Sequence, residues 1–204
     1  MRLVVASASP RRADLLRAAG FVFETLAVDL DESVRAGEPP AAYVRRLAME
    51  KSARALEVVG SGFLTAVALA KAVSRTEPVV VLGADTAVVV DGQILGKPRD
   101  DRDAAAMLRQ LSGRPHEVLT GLSVRARGGE SGRVETTTVE FAPLAEADVE
   151  WYVASGEGRD KAGAYAIQGL ASRFIPRIQG SYSNVVGLPI AAVHELLAEI
   201  ASAP

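Results

Sequence analysis

Ser7, Ser9, Arg11 and Arg12 fall within the string Ser7-Ala-Ser-Pro-Arg-Arg12, and together they have the chemistry of an anion site. Ser9 is a favoured N-cap and Pro10 a favoured first helical residue, so the spacing predicts a helix that begins here and ends at Gly20. Helix physics does not account for two arginines in the first turn, where the macrodipole is positive and a carboxylate would stabilise. An anionic ligand reverses that penalty, because free backbone N–H groups, a serine hydroxyl and two guanidinium forks suit phosphate oxygens. The alternative is that both arginines point to water, at a cost of roughly half a kcal/mol each.

Further charged groups stand at the ends of predicted elements: Glu32, Lys51, Asp85, Lys97 with Arg99, and Asp160 with Lys161. Singly, a Lys or Glu on a helix is ordinary solvated surface. Asp85 is harder to explain that way, because the apolar run Pro78-Val-Val-Val-Leu-Gly-Ala-Asp85 reads as a buried strand ending in a carboxylate, and a buried carboxylate needs a partner or a metal. Its plain alternative is a turn or N-cap aspartate. Carboxylates beside several cations, with no cysteine and no paired histidines, are the parts for metal-assisted attack on a phosphoryl group. Mg²⁺ or Mn²⁺ takes carboxylate and phosphate oxygens, the cations hold the remaining charge, and one carboxylate orients or deprotonates water.

The elements that must position these groups read as α/β. A strand at residues 3–6 leads into the first helix, and residues 21–28 are expected to form a second strand. An acidic loop from Asp29 leads through Pro39-Pro40 into a helix over 41–58. After the strand to Asp85, residues 87–95 resemble a hairpin around Asp91-Gly92, the dipeptide of a type I′ turn. Helices are expected at 101–111, 145–154 and 189–200, an antiparallel pair at 116–127 and 133–141, and a short strand at 173–178. The nearly apolar residues 63–73 are too few to span a bilayer and are read as a buried helix. The Gly- and Ser-rich stretch 156–187 has the character of a site loop.

With 204 residues, 49% of them hydrophobic and 24% charged, the chain suits a single domain of one or two lobes with a sizeable core. Its net charge of −2 supplies no global basic field, so stable nucleic-acid binding and a membrane partner are not expected. No cysteine is present, which excludes disulfides and thiolate chemistry. The N-terminus is too short in apolar residues for a secretory signal, and a cytoplasmic location is expected. Residues 92–97 fall one residue short of a P-loop and lack its hydroxyl. His116 and His194 have no second histidine at metal spacing and are read as turn or helix-surface residues, while Trp151 and Tyr152 are read as core.

These motifs, taken in order, resemble the Maf family of nucleoside triphosphate pyrophosphatases. The resemblance rests on Ser7-Ala-Ser-Pro-Arg-Arg12, Arg46-Leu-Ala-Met-Glu-Lys51, Gly83-Ala-Asp-Thr86, Gly96-Lys-Pro-Arg99, Thr120-Gly121, Asp160-Lys-Ala-Gly-Ala-Tyr-Ala-Ile-Gln-Gly169 and Gly180-Ser-Tyr-Ser-Asn-Val-Val-Gly-Leu-Pro189. It implies an elongated, two-lobed mixed-sheet fold like the inosine triphosphate pyrophosphatases, with a nucleotide cleft between the lobes. It also implies hydrolysis of the α–β phosphoanhydride with a divalent cation, Mg²⁺, Mn²⁺ or Co²⁺. Carried over residue by residue, Asp85 takes the proton-acceptor position, and Ser7, Arg12, Lys51 and Lys97 the phosphate-handling ones. Glu32 and Asp85 are the metal-associated carboxylates.

The same resemblance implies the subgroup acting on dTTP and UTP, which carries Arg11, Thr86 and Gln168 where a 7-methyl-GTP subgroup would carry an aromatic residue, Gln and Glu. A methylated, cationic purine would favour an aromatic face and a carboxylate there. Residues 57–77 look longer than the family's usual connection. The resulting expectation is a single-domain dTTP/UTP pyrophosphatase, with a homodimer expected from the family alone. The readings set against it are a 7-methyl-GTP pyrophosphatase and a non-catalytic nucleotide- or nucleic-acid-binding regulator of cell division.

Overall fold

The computed structural model describes residues 1–61 and 78–202. Strand β1 (Arg2–Ala6) runs into helix α1 (Pro10–Ala18), followed by the short β2 (Glu24–Thr25) and the long helix α2 (Pro40–Gly60). Strand β3 (Val79–Val90) turns into β4 (Gln93–Leu95), and α3 (Asp101–Leu111) precedes the hairpin of β5 (Pro115–Ala126) and β6 (Gly129–Glu140). Helix α4 (Glu146–Ala154), 3₁₀ turns at Ala162–Ala164 and Leu170–Phe174, β7 (Arg177–Gln179), α5 (Tyr182–Val186) and α6 (Ile190–Ser202) complete the chain. The strands form one mixed sheet in the order β2-β1-β3-β5-β6-β7, with β4 on β3. The expected α/β fold with a mixed sheet is therefore present.

The long strands carry separate hydrophobic clusters along their length. Leu82, Leu122 and Val124 meet Leu16, Leu188 and Val193 of α1, α5–α6 and their loop, while Val88, Val118 and Val139 meet Leu108, Val149 and Tyr152 of α3 and α4. On the opposite face α2 lies directly on the sheet. A Cβ on Gly83 would come within 2.2 Å of the Ala48 carbonyl oxygen, and one on Gly121 within 2.2 Å of that of Val44. Only a bare α-carbon permits this approach. Among the described helices, none is long and apolar enough to cross a membrane.

Three expected strands differ from what forms. Residues 21–28 supply only the two-residue β2, pairing Val4 with Glu24 and Val5 with Thr25, and Val22, ahead of it, is 92% exposed. Residues 173–178 begin in a 3₁₀ turn because Phe174 is buried against Tyr152, and Pro176 has no N–H for a ladder, so β7 starts only at Arg177. The strand expected to end at Asp85 instead continues to Val90: residues 84–87 remain laddered to β5, with Asp85 opposite Gly121 and Thr86 opposite Thr120. The hairpin after it turns at Asp91 (φ 50°) and Gly92 (φ 75°), as a type I′ turn requires.

His116 is also placed differently, buried on β5 at 3% exposure with Nε2 2.8 Å from the Tyr165 hydroxyl; strand alternation turns it inward. His194 is on the exposed side of α6. Tyr152 is core, but Trp151 is 42% exposed, with the Arg173 guanidinium over its ring. The helix expected at 63–73, and residues 62–77 of the long connection, lie outside the described residues; 57–60 prolong α2.

Candidate active site

The sheet has a gap where β1 stops. Ala6 pairs with Gly83, and β4 reaches β3 only at Val88, so residues 84–87 pair with β5 alone among the described strands. Side chains alternate across a strand, so Asp85 faces α2 and Thr86 faces α1 and α5. A cleft of about 600 Å³ opens at this gap, lined by the end of β1, the start of α1, the acidic loop and the 160–168 segment.

On the α2 side, Lys51 reaches over the sheet where the glycines bring the helix close. Its Nζ lies 2.7 Å from Asp85 Oδ1 and 2.6 Å from Glu32 Oε1. Lys51 and Asp85 are almost wholly buried, whereas Glu32 is half exposed. The loop carrying Glu32 is held by its own contacts: Tyr43 donates its hydroxyl to the Glu32 carbonyl, and Arg46 grips Glu38 and the Ser33 carbonyl. Burial pushes the Glu32 carboxyl up, but the Lys51 hydrogen bond and the charges of Lys51, Lys97 and Arg12 outweigh it and leave it below the ordinary value.

On the other side, the helix start is built differently from its sequence-based expectation. Ser9 occupies the N-cap but makes no side-chain cap bond; the Ser7 hydroxyl instead accepts the Ser9 N–H at 3.1 Å. Arg12 spreads its guanidinium over three acceptors, donating from Nε to the Gly187 carbonyl at 2.8 Å, from Nη1 to Ser7 Oγ at 3.3 Å and from Nη2 to Thr86 Oγ1 at 3.1 Å. Burial lowers its pKa, partly offset by the negative charge of Asp85, yet an arginine stays ionised. Arg11 crosses the cleft to Asp160 at 3.1 Å, and Asp160 also accepts from Lys161 at 2.6 Å. The Lys161 hydrogen bond holds the Asp160 carboxyl below its ordinary value.

The positions that the family resemblance assigns to the site line this one cleft: Ser7, Arg11 and Arg12 from the helix start, Glu32, Lys51, Asp85 and Thr86 from the loop and sheet, and Lys97 and Gln168 from the segments that follow. Arg99 is not among them; it points outward, 86% exposed, and forks onto Asp103. Sequence reasoning assigned no role to Gly187, Tyr43 or Tyr165. Gly187 stood inside a quoted motif, and its carbonyl, freed at the end of α5, is what turns Arg12.

Five cations (Arg11, Arg12, Lys51, Lys97, Lys161) face three carboxylates (Glu32, Asp85, Asp160) in the cleft, an excess of two positive charges that suits a polyanion. Among the described residues no group of three or more His, Cys, Asp or Glu side chains could enclose a metal ion. Glu32 and Asp85 nonetheless converge on one point, Lys51 Nζ. One or two carboxylates completed by phosphate oxygens and water is how Mg²⁺ is commonly held with a nucleotide, and the donor set fits that role.

Several known proteins are similar to this chain along most of its length. A relative from Anaeromyxobacter sp. (strain Fw109-5), named dTTP/UTP pyrophosphatase, is 52% identical over 201 residues, covering 96% of this chain and 88% of its own. A relative of the same name from Shewanella oneidensis is 46% identical, covering 98% of each chain. Among solved structures, the Ham1 protein of Staphylococcus aureus aligns over 98% of both chains at 13% identity and a TM-score of 0.44. The family model described as Maf-like protein matches residues 2–200. With that match running almost from end to end, the chain belongs to the Maf family.

Proposed function

We propose that this protein hydrolyses dTTP and UTP to the nucleoside monophosphate and pyrophosphate. The observation that carries the reading is the Lys51 ammonium holding Asp85 and Glu32 together, opposite a helix start whose arginines and serine face the same cleft. Support for the substrate comes from relatives of that name at 46–52% identity over nearly the whole chain.

In this reading the triphosphate lies across the gap in the sheet, with Ser7, Arg12, Lys51 and Lys97 around its phosphates. Asp85 binds Lys51 through Oδ1, which leaves Oδ2 outside that bond to take a proton from water. Water forms the new P–O bond at the α-phosphorus, its proton passes to Asp85, and the α–β anhydride breaks with the electron pair leaving on pyrophosphate. Arg12 and Lys97 stabilise charge on the departing group. A divalent cation held by Glu32 and Asp85 would polarise the phosphoryl oxygens and neutralise part of the developing charge. Arg11 and Gln168, which line the same cleft, would face the nucleoside, and Thr86 contacts Arg12. We also propose a cytoplasmic location, where free nucleotides would be the substrate.

The site of attack is tested by running the reaction in ¹⁸O-labelled water and resolving the products by ³¹P NMR. Label confined to dTMP supports attack at the α-phosphorus. Label in pyrophosphate, or release of dTDP and phosphate, contradicts it.

A further inference from the structure

Thr120 and Asn184 are fully buried polar residues that do not line the cleft, and the catalytic scheme leaves both unused. Thr120 lies directly across from Thr86 on the neighbouring strand, with the two hydroxyl oxygens 3.0 Å apart. The Thr86 oxygen is also 3.1 Å from Arg12 Nη2 and 3.2 Å from the Gly187 carbonyl oxygen. A hydroxyl has one proton to give and two lone pairs to accept with. Either hydroxyl can donate across the 3.0 Å pair, and Thr120 has a second, longer acceptor in the Asn184 carbonyl at 3.5 Å; with Thr86 donating to Gly187 and accepting from Arg12 and Thr120, all three are used.

Asn184 fixes the other end of this chain of contacts. Its Nδ2 has two hydrogens for three acceptors, the Val118 carbonyl at 3.0 Å, Thr137 Oγ1 at 2.9 Å and, through a shared hydrogen, the Glu135 carbonyl at 3.3 Å, so one carboxamide ties α5 to both β5 and β6. Thr137 in turn accepts from the Ser181 N–H and donates to its carbonyl. With α5 pinned at its start, the Gly187 carbonyl at its end is delivered to Arg12 Nε at 2.8 Å. Arg12 is thereby held from two sides, by the Thr120–Thr86 pair and by the Asn184-anchored carbonyl.

We infer that Thr120 and Asn184 are positioning residues that act on the substrate's phosphates through Arg12, Thr120 by way of Thr86 and Asn184 by way of the Gly187 carbonyl. This rests on the function proposed above and deepens it. A consequence is that Thr86 has no hydrogen-bonding capacity left for a base edge; its influence on substrate choice runs through its methyl group and its hold on Arg12.

The test is a double-mutant cycle between Thr120→Val and Arg12→Lys, read as kcat/KM for dTTP and UTP and, in parallel, as calorimetric affinity for inorganic pyrophosphate. Thr120→Val is expected to lower kcat/KM about tenfold for both nucleotides in the wild-type background and less than about twofold in the Arg12→Lys background, the signature of energetic coupling between contacting sites. Thr120→Ser, which keeps the hydroxyl, is expected to restore most of the loss. Equal factors in both backgrounds, no loss in Thr120→Val, or no recovery in Thr120→Ser overturns the inference. If the valine variant does not fold, Thr120→Ala and Thr120→Ser are compared through the same cycle and judged by the same outcomes. Wild-type protein that cleaves no nucleotide defeats the proposed function separately, and the pyrophosphate cycle then still decides whether Thr120 acts through Arg12.

Discussion

Lys51 Nζ and Asp85 Oδ1 lie 2.7 Å apart in a nearly dry position, and the same ammonium also holds Glu32 at 2.6 Å. One cation thus lets two carboxylates share a small volume at the cleft floor. Its removal leaves the buried Asp85 without its hydrogen-bonded cation and only the charges of Lys97 and Arg12 to offset the two carboxylates, and breaking such a buried pair costs about 3–5 kcal/mol. Lys51→Met is therefore expected to lower unfolding stability in urea by about that amount, and adding Asp85→Asn to recover part of it, because the second change removes one of the stranded charges. A double variant less stable than Lys51→Met alone would contradict this electrostatic account.

The position of Lys51 depends on two glycines. Because the atoms a Cβ would meet at Gly83 and Gly121 are backbone carbonyl oxygens of α2, 2.2 Å away, no side-chain rotation relieves the clash. Gly83→Ala or Gly121→Ala is expected to cost about 2–3 kcal/mol by overpacking. Either should also depress kcat by lifting α2 and Lys51 from Asp85. Full activity in a destabilised Gly121→Ala would show that the close approach serves packing alone.

His116 gives the fold an acid sensitivity. Burial lowers its pKa from 6.5 to about 4, so the unfolded chain takes up a proton at a pH where the folded chain does not. The sign follows: stability is complete above pH 6.5 and declines as pH falls toward 4, by on the order of 3 kcal/mol if the whole shift is expressed. Thermal melts across this range should fall for the wild type and flatten for His116→Phe. Parallel slopes would assign the acid sensitivity to other groups.

Much of the charged lining of this cleft is legible in the sequence, and the reason is chemical. Arginines at a helix start and a carboxylate after an apolar run conflict with local propensity, and such conflicts mark function. Arg11, Arg12, Glu32, Lys51, Asp85 and Lys97 share one cleft, and Gln168, which the family resemblance alone singled out, lines it as well. What could not be read is set by contacts distant in sequence. Asp85 looked like a strand end because the gap belongs to β1 and β4, not to β3. His116 looked like surface because its partner, Tyr165, is 49 residues away. Arg99, next but one to Lys97, seemed part of the site until its fork onto Asp103 turned it outward. The hold of Gly187 on Arg12 spans 175 residues, and no local pattern announces it.

The most direct test is pyrophosphate release from dTTP, UTP, CTP, GTP and 7-methyl-GTP, with Mg²⁺, Mn²⁺ or Co²⁺ and after chelation, comparing wild type with Asp85→Asn. Metal-dependent release largely confined to dTTP and UTP is expected, with kcat reduced about a hundredfold or more in Asp85→Asn, the scale of a lost general base. Preference for 7-methyl-GTP, unchanged turnover in Asp85→Asn, or no release from any nucleotide would contradict it.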